Sequence, residues 1–242
     1  MPRHIRPILF IIALLSTFSS QAADAPLTIT KIISGDEVAL SDGRTARLEG
    51  TKAPLKDTAV LEKLAAGHEA ILEEISTDRY GRITAQMYVR DGKSKKWLQG
   101  ELLSAGLAFV YPPTGEEQKL EAMLRAEAEA RRARRGIWAD PAYADIPAAE
   151  AESAYGRFAF ISGTVQDAAR VKNKVYLNFG EDWRKDFTVT ILARDLRLFR
   201  KVKSDPLGYK GKKIRVRGWV KREGGPMIMV DHPSQIETIG RN

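Results

Sequence analysis

Between positions 213 and 221 every second residue is cationic or aromatic. Lys213, Arg215, Arg217, Trp219 and Lys221 alternate with Ile214, Val216, Gly218 and Val220. A period of two places the first set on one face of a strand and the apolar set on the other. Cations interrupted by an indole suit sequence-tolerant binding of a single nucleic-acid strand, the charges meeting phosphates and the ring stacking on a base. Trp183, with Arg184 and Lys185 beside it, repeats the combination near a turn. Lys213, Arg215, Arg217, Trp219, Lys221, Trp183 and Arg184 are therefore the candidate nucleic-acid-binding residues. The competing reading is a half-exposed barrel strand, on which charge alternates in any soluble protein, with Trp219 packed under a helix.

Composition excludes other chemistry. The 242 residues include no cysteine and three histidines, His4, His68 and His232. Disulfides, thiolate zinc sites, iron–sulfur clusters and thiol nucleophiles are ruled out, and a histidine-based triad has little to draw on. Hydrophobic residues at 43% and charged residues at 29% are ordinary for a globular chain. The net charge of +8 is unevenly placed. Asp24 to Glu150 holds 18 basic and 21 acidic residues, whereas Ala151 to Asn242 holds 19 and 10. Attraction for polyanions must come mainly from the second half.

The elements that would position these residues follow from the same reading. Arg3 and Arg6 precede an apolar run, Pro7 to Phe18, and small residues allow cleavage after Ala22 or Ala23. The run is shorter than the roughly 20 residues of a membrane span and fits a signal peptide, residues 1–23. A periplasmic or secreted location is expected. The first half reads as strands Leu27–Ser34, Glu37–Leu40 and Thr45–Glu49, a helix over Thr58–Leu72, and a strand Ile83–Val89. Then come a helix over Lys96–Ser104, a strand Leu107–Tyr111, and a long helix from Glu116 to Arg135 capped by Gly136. The second half reads as strands Arg157–Asp167, Lys174–Phe179 and Asp186–Ala193, a helix Asp195–Val202, and strands Lys212–Arg222 and from Met227. Residues 144–154, rich in alanine and acid, read as a linker between units 24–143 and 155–242.

Over Leu27 to Tyr143 the sequence resembles the staphylococcal nuclease (thermonuclease) family. The matching segments are Ile33-Ser34-Gly35-Asp36, Gly43 to Leu48, Asp78-Arg79-Tyr80-Gly81-Arg82, Leu102 to Ala108, and Gly136-Ile137-Trp138. The resemblance implies a calcium ion held by two aspartates and a carbonyl, a glutamate that activates water, and two arginines on the scissile phosphate. Asp36 stands at the first metal position, and Arg47 and Arg82 at the arginine positions. Lys52 stands at the second metal aspartate, and Leu55 at the general-base glutamate. A lysine there pairs with Asp36 in place of the ion, and a leucine carries no proton. Asp36 as a turn residue and Arg47 and Arg82 as structural ion-pair partners are the alternatives.

The order β-β-β-α-β-β over Tyr155 to Ile239 resembles the OB-fold. The expected class is mainly β (α+β), with two OB-type five-stranded barrels, the first carrying a long C-terminal helix. The expected function is that of an exported, catalytically inactive nuclease-like protein without a cofactor, binding nucleic acid through its C-terminal half. The alternatives are a calcium-dependent phosphodiesterase with a rearranged site, and an envelope protein whose basic face meets another polyanion or a protein.

Overall fold

The computed structural model describes residues 26–54, 58–77, 79–111 and 117–240. The expected signal peptide, Leu55 and Asp78 lie outside the described residues. The chain is mainly β with a few helices.

In the first half β1 (Ile29–Ser34), β2 (Glu37–Leu40) and β3 (Thr45–Leu48) form an antiparallel meander. The β2–β3 turn follows from two residues: Gly43 takes a φ of 85°, and the Asp42 carboxylate accepts the Arg44 N–H at 3.0 Å. Next come β4 (Thr51–Lys52), α1 (Ala59–Ala65), β5 (Ala70–Thr77), β6 (Ile83–Asp91), β7 (Ser94–Trp97) and α2 (Leu98–Ser104). The short strand β8 (Phe109–Val110) and the helix α3 (Glu117–Arg132) follow. The main sheet runs β1-β2-β3-β6-β5 with β7 on β6, while β4 pairs with β8 apart from it. A bridge from Thr28 to Glu69 joins the two edges, so the sheet curls on itself.

The helix expected over Thr58–Leu72 is corrected here. It stops at Ala65, Gly67 turns the chain at a φ of 77°, and Ala70–Thr77 pairs along β6. Leu61 and Ala65 fit a helical face, but Ala70 and Leu72 reach the core with a period of two, and pairing with β6 decides the matter.

The second half contains β9 (Ile146–Pro147), β10 (Phe158–Thr164), β11 (Asp167–Val171), β12 (Lys174–Asn178) and β13 (Thr188–Leu192). It continues with α4 (Leu196–Lys201), β14 (Lys213–Glu223), β15 (Gly225–Val230) and β16 (Ile236–Thr238). Their order is β11-β12-β13-β15-β14-β10-β9, with β16 on β14 and β13 parallel to β15. The strand expected over Arg157–Asp167 is two strands, bent where Val165 plunges into the core and bonds to Lys212 O. Residues 144–154, expected as a linker, are folded: Ile146 pairs with Ile161, and Ala151 and Ala154 are wholly buried.

Three apolar clusters hold the molecule. One, around Leu48, Ile83, Met87 and Leu103, lies in the first half; another, around Phe187, Val189, Phe199 and Ile228, in the second. The third joins Phe109, Ala130, Ile137 and Trp138 to Phe160, and so spans the halves. Each fully buried side chain of this size contributes ~1.5–3 kcal/mol. Among the described residues, no helix is long and apolar enough to cross a membrane.

Candidate functional site

Asp36 sits in the two-residue turn between β1 and β2, and only 4% of it is exposed. A carboxylate so placed needs partners. Ser34 Oγ donates to its Oδ1 at 2.8 Å, and Lys52 Nζ approaches its Oδ2 at 3.1 Å. Lys52 lies on β4, whose register sets Lys52 opposite Phe109 and Thr51 opposite Val110 of β8. The ammonium thus closes a shallow depression of about 290 Å³ lined by Ser34, Asp36, Glu37, Arg47, Lys52 and Pro54.

Calcium takes six to eight oxygen ligands, several of them carboxylate. Here both oxygens of the buried carboxylate are engaged, one by an ammonium. Glu37, the other carboxylate lining the depression, lies 3.6 Å from Arg47. Among the described residues, no group of three or more histidine, aspartate or glutamate side chains is arranged to hold a metal. These residues do not fit a calcium ion.

Parallel pairing of β3 with β6 sets Ala46 opposite Ile83 and Arg47 opposite Thr84, so Arg82 stands just before the paired stretch that carries Arg47. The Arg47 side chain is half exposed. Arg82 lies over the exposed Tyr80 ring at 5.8 Å, with Arg79 over the same ring at 5.0 Å. This corner presents guanidinium groups to solvent and is suited to phosphate.

The alternating face of β14 is not the open surface its sequence promised. Lys213, Trp219 and Lys221 are exposed, but the middle of the row is covered. Arg217 is 3% exposed and donates to Glu127 of α3 at 2.7 Å and to the Val110 carbonyl at 3.2 Å. Arg215 donates to Asp145 at 2.6 Å and to Glu237 at 2.9 Å, and Arg131 of α3 also reaches Glu237 at 2.9 Å. Arg215 and Arg217 are therefore corrected from exposed contacts to ion-pair partners: Arg217 joins the halves through Glu127, and Arg215 holds the Glu237 that Arg131 reaches from α3. Burial opposes the charged forms here. Even so, Arg131 and Arg215 hold the Glu237 carboxyl below the usual glutamate range, and Asp145 and Glu237 hold the Arg215 guanidinium above its own. Trp219 meets Phe158 edge-on at 6.4 Å, so its ring is half packing and half surface.

Trp183 is 58% exposed, and the Arg184 guanidinium stacks over its ring at 4.7 Å. The turn carrying both is built by Asp182, whose side chain accepts the Arg184 N–H at 3.1 Å. Gly225 seats this turn on the β14–β15 hairpin, since a Cβ there would lie 2.6 Å from the Lys185 backbone.

Sequence reasoning missed Glu127, Asp145 and Glu237. For Glu127 a signal exists: it stands at position 127 in the buried row Leu120, Met123, Glu127, Ala130 of α3, a carboxylate in an apolar stripe of helical spacing. Such a residue requires a cation, and it has two: Arg131 one turn on at 3.6 Å and Arg217 from elsewhere in the fold at 2.7 Å.

Residues 50–140 match the model of the staphylococcal nuclease homologue family. Two curated proteins described as uncharacterized endonucleases, one from Escherichia coli and one from Escherichia coli O157:H7, are each 29% identical over 150 residues. The alignments cover 58% of this chain and 92% of theirs. The chain carries a staphylococcal nuclease-like domain.

Proposed function

We propose that this is an exported nuclease-like protein that holds nucleic acid without cutting it, the ligand being a single strand bound chiefly by the C-terminal half. The reading rests on one observation, the Lys52 ammonium 3.1 Å from Asp36 where the family places its metal. With a cation built into the chain, no dication is recruited and no metal-bound water is generated. Leu55 at the general-base position removes the second requirement. Arg47, Arg82 and the exposed Tyr80 keep a corner for phosphate after hydrolysis is gone. Both sheets are taken as OB-type barrels, in support of which strand β3 runs parallel to β6 in the first and β13 parallel to β15 in the second. The N-terminal segment is taken as a cleaved signal that delivers the protein to the periplasm or beyond.

A second reading draws on the relatives' description as endonucleases: the domain still cleaves, through a different carboxylate set. One assay separates the two. Purified protein is incubated with single-stranded DNA and with RNA, with calcium and with a chelator. Intact substrate retained in a gel-shift complex is the expected result. Calcium-dependent cleavage that Asp36→Ala abolishes would overturn the non-catalytic reading.

A further inference from the structure

The second half holds a hollow on the sheet face turned away from its core. Along β12 and β13, Val175, Leu177, Val189 and Ile191 point into that core. Period two therefore turns Tyr176, Asn178, Thr188 and Thr190 outward. These four, with Trp183, Met227 and Glu223, line a groove of about 510 Å³ that also reaches Val171. Its size is that of pockets for small organic ligands.

The lining is selective in its chemistry. Trp183 supplies an exposed aromatic wall, and Val171, 52% exposed, supplies an apolar edge. The floor is neutral and polar. The Thr188 hydroxyl donates to Asn178 Oδ1 at 3.3 Å, and the Asn178 amide nitrogen has no hydrogen bond among the described residues. Charge is kept to the rim, where the Glu223 carboxylate, with its side chain 61% exposed, lies 3.9 Å from the Lys174 ammonium. Arg184 and Lys185 flank Trp183 with side chains 70% and 82% exposed, and Asp182 lies no closer to them than 3.9 and 3.8 Å. A planar, uncharged, hydrogen-bonding ring fits the floor and wall, and an anion attached to that ring fits the rim.

We infer that this groove binds a base of single-stranded nucleic acid, stacked on Trp183 and read along one edge by Asn178, with its phosphate at Arg184 and Lys185. The inference rests on the nucleic-acid reading above and deepens it, replacing the covered middle of β14 by a formed pocket. It also changes the expected selectivity: ring faces do not distinguish bases, but an amide facing a base edge does.

The test titrates the purified full chain with fluorescein-labelled homopolymeric DNA single strands, one for each base, and with an abasic strand of equal length. Trp183→Ala should weaken binding of the preferred strand about 5- to 150-fold, the range of a lost base–aromatic stack. The abasic strand should bind wild type as weakly. Trp183→Phe should restore most of the affinity while losing the ligand-induced quenching of tryptophan emission, and Asn178→Ala should narrow the differences among bases. Equal affinities of wild type and Trp183→Ala would overturn the groove while leaving nucleic-acid binding elsewhere on the chain intact. Failure to bind any strand at low salt would overturn both readings. Uptake of an uncharged oligosaccharide instead would make the groove a glycan site.

Discussion

Arg217 of β14 and Glu127 of α3 meet at 2.7 Å, with side chains only 3% and 1% exposed. The same carboxylate accepts the Val110 N–H at 2.6 Å, and the same guanidinium donates to the Val110 carbonyl. The pair therefore holds both backbone polar groups of Val110 in β8. Because β8 is the register partner of β4, the grip lies one strand away from Lys52 and the Asp36 depression. Stacking of Phe109 on Phe158 at 4.6 Å reinforces the contact from the apolar side.

Breaking this pair on one side leaves a buried charge without its counterpart. Arg217→Met or Glu127→Gln should each destabilise the protein by about 3–5 kcal/mol, read from denaturant unfolding midpoints. The two effects should not add in the double variant, since the residues share one interaction. Additive losses would mean that the pair contributes nothing as a pair.

Restoring carboxylates should restore the ion. Lys52→Asp combined with Leu55→Glu removes the built-in cation beside Asp36 and returns the family residue types. Calorimetry should then detect calcium uptake, and wild type titrated alongside should show none. A folded double variant that takes up no calcium would mean that the turn around Asp36 no longer presents its carboxylate to an ion.

Acid should loosen the contact between the halves. Glu237 has its folded pKa depressed below the ordinary value of 4.5, burial being outweighed by Arg131 and Arg215. A depressed carboxylate stabilises the fold above its unfolded pKa and loses that contribution as pH falls through the folded value. Glu237→Gln should therefore be less stable than wild type at neutral pH, and the two should converge in acid below the ordinary glutamate range. A gap between their unfolding midpoints that stays constant with pH would contradict the assignment.

Two glycines should tolerate no side chain. Gly106 and Gly136 both have positive φ, 70° and 53°, and a Cβ on Gly106 would fall 2.2 Å from Arg135 O while one on Gly136 would fall 2.2 Å from Gly106 O. The obstacles are backbone atoms tied by the Ile137 N–H to Gly106 O bond at 2.8 Å, so neither can yield cheaply. Gly106→Ala or Gly136→Ala should lower the melting temperature far more than Gly208→Ala, where nothing lies within 4 Å.

The sequence was informative wherever a position's meaning is local. Residue types at Asp36, Lys52 and Arg47 were legible from short segments at fixed intervals, and the expected pairing of Lys52 with Asp36 matches the geometry. The strands Glu37–Leu40 and Thr45–Glu49 were legible on either side of Asp42 and Gly43, because the side-chain chemistry of a turn is contained in it. The strand β5 was not, since Thr58 to Leu72 carries helical spacing in its first part and only β6 supplies the hydrogen bonds that convert the remainder.

What the sequence by itself determined was the nuclease-like domain, the lysine at position 52 that pairs with Asp36, and the alternation of β14 between apolar and basic faces. Tertiary structure alone decided which basic residues remain available. Strand parity states on which side a side chain stands and is silent about what comes to stand opposite it. Here α3 brings Glu127 and Arg131 to β14 and β16 from 90 and 106 positions away, engaging Arg217 and Glu237. The buried charge of Glu127 requires a cation, and the fold delivers Arg217 at 2.7 Å beside Arg131 of the same helix at 3.6 Å, so an arginine set in a binding pattern becomes part of the core. Trp183 stays outside because its turn rests on Gly225, a residue without the atom that would push it away.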